Sequence, residues 1–432
     1  MTANTLRKKY PHFFYKGYSY TTKRGYLHIS FDFTIPPNIS FKPKVVVKNI
    51  PKNHPQIDNI VFHLGLIEMI NYWKATASPQ IVIEAGHLSA RQLAWLKDLI
   101  YQGMGEYFFV NKINFTAKNF LTITSSSASL AQNLRVLKSR LANRTLVPIG
   151  GGKDAVVTLK LLKKAKIPLR PFLLNPKKEQ LDILALAKTK KPIVVERTLD
   201  PNLLKLNQKG YLNGHTPFSA YLAFLTALIA ILFDYKYIAL SNERSSNEGN
   251  VKYLGKTVNH QYSKSYDFEK KFRQYSKRYL LTEIEYFSFL RPLYELQIAK
   301  LFSQYKKYFT VFLSCNEAHK TKSGSSKPTG KWCGKCAKCL FVFLMLTPFA
   351  GKKQTINIFK KNLLKDRKLK PLLEELTGKK RFKPFECVGT TAETKVALLL
   401  QKKKDHPMLR AWNTMHFLPL KFERILKKAI SS

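Results

Sequence analysis

Acidic residues are scarce in this 432-residue chain. The sequence contains 27 aspartates and glutamates against 74 lysines and arginines, which gives a formal net charge of +47. Such an excess has three possible explanations: binding of nucleic acid, binding of an anionic small substrate, or lysines scattered over solvated faces without a specific partner. The lysines occur along the whole chain rather than in one arm, and aromatic residues are not interleaved with them as in RNA-recognition motifs. Nucleic-acid binding is therefore the weaker expectation, although the charge leaves it open.

A membrane-spanning run is also missing. Residues 218–233 are uncharged, but these 16 residues fall short of the roughly 20 that cross a bilayer. Residues 1–10 lack the apolar segment of a signal peptide. Because apolar residues still make up 45% of the chain, a disordered protein is excluded. We expect a cytoplasmic protein with packed cores and no membrane partner.

Cysteine is rare, and its spacing is informative. An odd total of five cysteines, three of them within seven residues, favours a metal site over a disulfide framework and implies a reducing compartment. Four thiolates suit a closed, tetrahedral, structural Zn²⁺ site. Cys387 stands apart, either as a buried thiol or as a residue lining the site. The predicted zinc ligands are Cys315, Cys333, Cys336 and Cys339.

The nucleotide-binding patterns G-x-x-x-x-G-K-[ST] and G-x-G-x-x-G do not describe this chain, yet a glycine-rich turn is present. Three consecutive glycines follow an apolar strand pattern at residues 146–149, and a helical pattern begins directly after them. Glycine backbone approaches anions closely, and a helix N-terminus adds unpaired N–H donors. The turn resembles the S-G-G-x-D-S loop of the PP-loop ATP pyrophosphatases, with glycine and alanine at its two serine positions. We predict an ATP phosphate loop formed by Gly150, Gly151, Gly152, Lys153 and Asp154, with Ala155 lacking the last hydroxyl.

The pattern of strands and helices predicts an α/β protein with three parts. Residues 1–140 are predicted to be an α+β N-terminal domain, and residues 141–350 a PP-loop-like α/β domain with the zinc site. Residues 351–432 are predicted to be a helical extension that completes the site. Alternating strands and helices in the central part indicate a doubly wound parallel sheet, whose ligands bind at the carboxyl ends of the strands. The predicted central strands lie at residues 147–149, 172–174, 193–195, 237–240 and 311–313.

Polar clusters follow several of these strands. Thr216 and Pro217 are predicted to cap and begin the apolar helix at residues 218–233, with His215 beside that helix N-terminus. Ten residues without an apolar side chain follow the strand at 237–240. Among them Glu243 and Glu248 are candidate ligands of Mg²⁺, which prefers carboxylates shared with phosphate oxygens. Further along, His260 and Lys264 have side chains that bind carboxylates or transfer protons.

Taken together, these segments resemble the UDP-N-acetylmuramoyl-L-alanyl-L-glutamate epimerases of peptidoglycan precursor synthesis. The resemblance extends over nearly the whole chain, including residues 103–108 of the first domain. The cysteine pattern is also similar to that of 7-cyano-7-deazaguanine synthase, another PP-loop enzyme with four zinc cysteines. The segments that carry the epimerase resemblance are residues 150–154, 213–215, 241–245, 258–265, 286–292, 314–316, 332–344 and 383–389.

The resemblance implies an ATP- and Mg²⁺-dependent isomerase. Such an enzyme inverts the terminal L-glutamate of UDP-MurNAc-L-Ala-L-Glu to D-glutamate through an acyl-adenylate, releasing AMP and pyrophosphate. A PP-loop ATPase that modifies tRNA or a nucleobase is the alternative, and a zinc-stabilised nucleotide-binding module without catalysis is a third. The epimerase interpretation assigns proton transfer to His215, His260 and Lys264. It assigns binding of the anionic substrate to Arg244, Asn259, Arg291 and Lys264. Nucleotide and Mg²⁺ binding fall to the glycine loop together with Glu243 and Glu248.

Overall fold

The computed structural model describes residues 1–127, 136–137, 140–319, 330–380 and 382–431. Eleven strands form one sheet, and a separate two-stranded hairpin lies outside it. The strands are β1 His12–Lys23, β2 Tyr26–Ile35, β3 Ile39–Phe41, β4 Lys44–Val47, β5 Gln80–Ile83, β6 Thr122–Ser125, β7 Thr145–Pro148, β8 Leu169–Leu174, β9 Ile193–Thr198, β10 Tyr237–Glu243, β11 Val251–Tyr253, β12 Lys256–Val258 and β13 Glu285–Leu290, of which β11 and β12 make the hairpin.

Helices surround this sheet. They are α1 Ala3–Lys9, α2 Asp58–Glu68, α3 Ile70–Trp73, α4 Ala90–Gly103, α5 Gly105–Val110, α6 Lys153–Lys164, α7 Lys178–Ala187, α8 Pro201–Gln208, α9 Phe218–Phe233, α10 Tyr266–Tyr279, α11 Glu295–Ser303, α12 Asn316–His319, α13 Ala337–Ala350, α14 Lys352–Phe359, α15 Lys370–Leu376, α16 Thr391–Leu399 and α17 Leu420–Ser431. Among the described residues, none of these helices is long and apolar enough to cross a membrane.

The sheet is mixed but mostly parallel. Its order is β13-β10-β7-β8-β9-β4-β2-β1-β5-β6, with β3 paired to β2. The first five strands in this order run parallel to one another. β4 joins β9 antiparallel, so the predicted N-terminal domain and the predicted central domain share one sheet. The boundary predicted near residue 140 therefore separates two halves of a continuous sheet.

Hydrophobic residues alternate along the central strands and form two cores. Leu146 and Ile238 pack on one side of the sheet together with α2 and α9, whereas Val147 and Ala239 pack on the other with α6, α11 and α13. Helices thus cover both faces, as a doubly wound sheet requires. The chain order of the strands reverses between β7 and β10. A crevice forms outside the carboxyl ends of the strands at such a switch point, and it is the usual place for a ligand.

Local signals explain several helix ends and fail at others. Ser89 caps α4 in a capping box with Gln92. Thr216 does not cap α9, because its hydroxyl donates to Oδ1 of Asn71 at 2.8 Å and Pro217 occupies the capping position. The apolar side chains of α9 are buried on nearly all sides of the helix.

One predicted strand is wrong. Residues 311–313 form an irregular segment whose Leu313 N–H donates to the carbonyl oxygen of Gly151 at 2.7 Å. The fifth parallel strand is β13 instead. A short apolar run fits either a strand or a buried loop, so the sequence pattern could not separate the two.

Candidate active site

A cavity of about 640 Å³ lies at the carboxyl ends of β7, β8 and β10, where the strand order reverses. Three parts of the chain predicted to act together meet at its wall: the glycine turn, the polar end of β10, and the segment around residue 387 from the C-terminal extension. Its lining includes Gly150, Gly151, Gly152, Asp154, Glu243, Lys264, Lys338 and Cys387.

The glycine turn connects β7 to α6 at the cavity. Gly152 is the N-cap of α6, so the first N–H groups of this helix lie at the turn without helical acceptors. A Cβ on Gly151 would lie 2.6 Å from the carbonyl oxygen of Leu313 and 2.5 Å from Cγ of Glu179, so only glycine fits there. A Cβ on Gly150 would meet open space. Ala155 also lines the cavity, and its methyl group lacks the hydroxyl that a serine would carry there.

Lys153 anchors the turn from inside the protein. Its side chain is 2% exposed, forms an ion pair with Glu295 at the start of α11, and lies 2.5 Å from Oδ1 of Asp154. Burial opposes the charged ammonium, but the two carboxylates outweigh it and raise the pKa of Lys153. Lys153 was predicted to contact the nucleotide, whereas the structure directs its ammonium to Glu295 and Asp154.

Three acidic side chains, Asp154, Glu179 and Glu243, line the cavity, and the charges of Asp154 and Glu243 interact. Burial, together with the charge of Asp154, raises the pKa of Glu243, and Lys264 and Lys338 partly offset this effect. Oxygen ligands on two neighbouring carboxylates fit a hard divalent cation such as Mg²⁺. Glu248 lies elsewhere, because its Oε1 is 3.2 Å from Nζ of Lys383 and accepts the N–H of Thr391 at 3.2 Å.

A cluster of titratable groups surrounds Cys387. Nζ of Lys264 lies 3.2 Å from Sγ of Cys387, and Nε2 of His260 lies 3.8 Å from the same sulfur. Nδ1 of His260 forms a short hydrogen bond with Oε2 of Glu106. The rings of His215 and His260 are 4.3 Å apart between centroids, and Nδ1 of His215 is 3.9 Å from Glu106. Sequence-predicted His215, His260 and Lys264 are thus brought together around a thiol.

The charges in this cluster support one another. Burial opposes ionisation of the Cys387 thiol, but Lys264 and His260 outweigh burial and lower the pKa of Cys387 to about 5. Burial also disfavours the charged imidazolium, but the bonds to Cys387 and Glu106 raise the pKa of His260 to about 9. The Cys387 charge raises the pKa of Lys264, whereas burial and the neighbouring His260 hold the pKa of His215 well below its usual value. These shifts all favour a Cys387 thiolate beside two cations, with His215 neutral.

Arg291 lies in the core rather than at the cavity. Its side chain is fully buried and donates to Oε2 of Glu269 at 3.0 Å, to the carbonyl oxygen of Glu243 at 2.8 Å and to the carbonyl oxygen of Lys264. These bonds fix the backbone beneath two cavity residues. We therefore correct its predicted substrate-binding role to a positioning role.

The remaining two substrate candidates also have internal partners. The amide of Asn259 donates to the carbonyl oxygen of Ser246 at 2.9 Å and accepts the N–H of Gln261 at 2.7 Å, which shapes the loop before Lys264. The guanidinium of Arg244 stacks over the ring of Tyr294 at 4.3 Å.

The four predicted zinc ligands converge on one point. Their sulfur atoms all lie within 4.8 Å of one another, with 3.9 Å between Cys315 and Cys336 and 3.7 Å between Cys333 and Cys339. Zn–S bonds of about 2.3 Å in a tetrahedron place sulfur atoms about 3.8 Å apart, so the geometry fits Zn²⁺. Lys338 lies within this motif, and its ammonium donates to the carbonyl oxygen of Cys387. The cysteine cluster therefore also holds the Cys387 segment against the cavity.

Sequence reasoning missed Glu106, Lys338 and Glu295. Glu106 lies in one of the segments that resemble the epimerases, and Lys338 lies between two predicted zinc ligands, so both had a positional signal. Glu295 had none, because only the fold brings α11 to the glycine turn.

Comparison with known proteins gives consistent matches. The profile described as MurL N-terminal domain matches residues 4–289, and the one described as MurL C-terminal domain matches residues 311–419. A UDP-N-acetyl-alpha-D-muramoyl-L-alanyl-L-glutamate epimerase of Xanthomonas oryzae pv. oryzae is 34% identical over 336 residues, covering 78% of this chain and 72% of the relative. Proteins with the same name from a Micromonospora species and from Salinispora tropica are 32% and 30% identical, each covering 92% of this chain and 89% and 87% of the relatives. No solved structure matches the chain.

Proposed function

The chain belongs to the MurL epimerase family, and from this membership we propose that it inverts the terminal L-glutamate of UDP-MurNAc-L-Ala-L-Glu to D-glutamate. We propose further that it does so with ATP, by adenylating the α-carboxylate of that glutamate. The observation that supports the second proposal most strongly is one cavity that combines a glycine turn at a helix N-terminus, the carboxylates of Asp154 and Glu243, and the Lys264–Cys387 pair.

The reason for adenylation is chemical. The Cα proton beside an ionised carboxylate is very weakly acidic, because its removal places a second negative charge next to the first. Converting the carboxylate to an acyl-adenylate with release of pyrophosphate removes that charge. A base can then take the proton, and a proton delivered to the other face inverts the centre. Water attacks the acyl carbon afterwards and releases AMP with the free acid.

The residues at the cavity suit the two anionic reactants. The N–H groups at the N-terminus of α6 and the open space at Gly150 favour phosphate oxygens. Asp154 and Glu243 would hold Mg²⁺, which offsets phosphate charge when bound. Lys264 and Lys338 add positive charge at the same wall, which favours the carboxylate-rich substrate.

The cysteine cluster has a structural part in this proposal. Four sulfur ligands leave no open coordination position, so a bound Zn²⁺ would fix the chain rather than take part in the reaction. It would hold Lys338, and through it the Cys387 segment, in place. All five cysteines are free thiols, which suits a reducing compartment, so we propose that the protein acts in the cytoplasm.

The test incubates the purified protein with UDP-MurNAc-L-Ala-L-Glu, ATP and Mg²⁺. Chromatography measures AMP and pyrophosphate, and chiral analysis after acid hydrolysis measures D-glutamate. We expect D-glutamate only with ATP, and a loss of AMP formation of about 10²-fold in Asp154→Asn, since charge stabilisation at a reacting phosphate is typically worth that much. The matched control Glu248→Gln, which changes a carboxylate outside the cavity, should keep most of the activity.

Three outcomes would contradict the proposal: D-glutamate without nucleotide turnover, ADP in place of AMP, or no D-glutamate at all. Salt-sensitive binding of tRNA followed by modification of a base would instead support the tRNA-modifying alternative.

A further inference from the structure

We propose that Cys387 is the catalytic base that removes the Cα proton of the activated glutamyl residue, with Glu106 and His260 as its positioning residues. This inference rests on the proposed function, since the proton becomes acidic enough only after adenylation. It gives a role to the cysteine that lies outside the zinc cluster.

The geometry places one reactive atom at the cavity and its support behind it. Cys387 and Lys264 line the same cavity as the glycine turn. Behind the thiol, His260 contacts Sγ through Nε2 at 3.8 Å and bonds Glu106 through Nδ1. Thiol, imidazole and carboxylate thus form a chain that begins at the cavity wall, which is the arrangement that orients and activates a cysteine. His215 packs against His260 from the side.

The other members of the cluster are less suited to accept a proton. Both nitrogens of His260 are engaged, one with Cys387 and the other with Glu106. Lys264 is an ammonium held beside the sulfur at 3.2 Å and has no lone pair to offer. Cys387 therefore carries the basic atom of this group that faces the cavity.

Positive charge makes the cluster a poor divalent-cation site. Glu106, His215 and His260 lie close enough together to share an ion. The ammonium groups of Lys264 and Lys74, however, act on the His215 ring and disfavour a further cation beside it. A proton-transfer role agrees better with these charges than a second metal site does.

The step balances as a simple proton transfer. The Cα–H bond breaks, its electron pair moves into the acyl carbonyl to give an enolate, and the S–H bond forms on Cys387. The positive charge of Lys264, which lies beside the sulfur, offsets the negative charge of the enolate while it exists. A proton from solvent reaches the opposite face of Cα and gives the D configuration. The thiol then releases its proton to solvent, which restores the thiolate.

The experiment separates adenylation from proton removal. Wild-type protein, Cys387→Ala and Cys387→Ser are given substrate, ATP and Mg²⁺ in D₂O. Substrate-dependent exchange between ATP and labelled pyrophosphate reports adenylation, and mass spectrometry of the glutamate reports deuterium at Cα. Both variants should keep pyrophosphate exchange within about 3-fold, while Cα exchange falls about 10²–10⁴-fold, the usual contribution of a general base.

A second measurement covers the case in which a variant does not fold. In the wild type, the rate of Cys387 alkylation by iodoacetamide follows the thiolate fraction, with a midpoint near pH 5. The charged groups that act on the sulfur are Lys264, His260 and Lys338. Glu106→Gln removes the carboxylate that stabilises the His260 imidazolium, so the positive charge beside the Cys387 thiolate decreases. The midpoint of alkylation and the acid limb of Cα exchange should therefore move to higher pH together, with little change in the substrate KM. A merely structural Glu106 would not shift them.

Several results would overturn the inference. Cα exchange at the wild-type rate in Cys387→Ala shows that another group is the base. Parallel loss of both exchanges in a variant with an unchanged melting temperature assigns Cys387 to adenylation. A thioester between Cys387 and the substrate, detected by intact-protein mass, shows that the thiol attacks carbon. Failure of the proposed function is distinct, because wild-type Cα exchange would then occur without ATP or not at all.

Discussion

Substitution of Arg291 distinguishes a positioning residue from a substrate ligand. Its guanidinium pairs with Glu269 at 3.0 Å, and the two side chains are 0% and 2% exposed. Arg291→Met leaves the Glu269 carboxylate buried and unpaired and frees the carbonyl groups of Glu243 and Lys264. Removal of one partner of a buried pair costs about 3–5 kcal/mol. With an unfolding entropy of about 2.1 cal/mol/K per residue, a chain of this length that unfolds as one unit should melt about 3–6 °C lower.

Thermal unfolding of three variants measures this effect. Arg291→Met and Glu269→Gln should each be destabilised, and the double variant should lose about 1–3 kcal/mol less than the sum, because the pair is coupled. Arg244→Met is the matched control, since a cation–π contact of about 0.5–1 kcal/mol predicts a shift of about 1 °C or less. Additive losses within about 0.5 kcal/mol, or an unchanged melting temperature with a raised substrate KM, would refute the positioning role of Arg291.

Two further predictions concern the cysteine cluster and the glycine turn. Cys336→Ser should lower bound zinc below one ion per chain, measured by elemental analysis, and should reduce the melting temperature, measured by calorimetry. Wild-type protein that contains no zinc would contradict the assignment of the four cysteines. Ala155→Ser adds a hydroxyl at the first turn of α6, so the KM for ATP should fall about 2- to 10-fold, the value of one hydrogen bond; an unchanged KM would show that this position does not face the nucleotide.

Local patterns in the sequence were sufficient for the glycine turn and the cluster of four cysteines. Three glycines between a strand pattern and a helix pattern define a turn at a helix N-terminus, whatever else the chain does. The spacing of Cys333, Cys336 and Cys339 likewise brings three sulfur atoms together within one short segment. The doubly wound half of the sheet followed from the alternation of strands and helices, because parallel strands need crossover helices.

Long-range packing explains what the sequence could not provide. Arg291 has the residue type of an anion ligand, and only the position of Glu269 on α10 shows that it is buried. Glu106, His260 and Cys387 come from three distant segments, and no local pattern indicates that they meet. The continuation of the sheet from β9 to β4 depends equally on tertiary pairing. These contacts determine the roles of the individual residues at the site.

Transfer of ¹⁸O from substrate to AMP tests the central claim most directly. UDP-MurNAc-L-Ala-L-Glu labelled with ¹⁸O in the α-carboxylate of glutamate is incubated with the protein, ATP and Mg²⁺, and the AMP is analysed by mass spectrometry. Adenylation followed by attack of water on the acyl carbon leaves one ¹⁸O atom in each AMP formed, together with D-glutamate. AMP without ¹⁸O, or D-glutamate formed without AMP, would contradict carboxylate activation at this cavity.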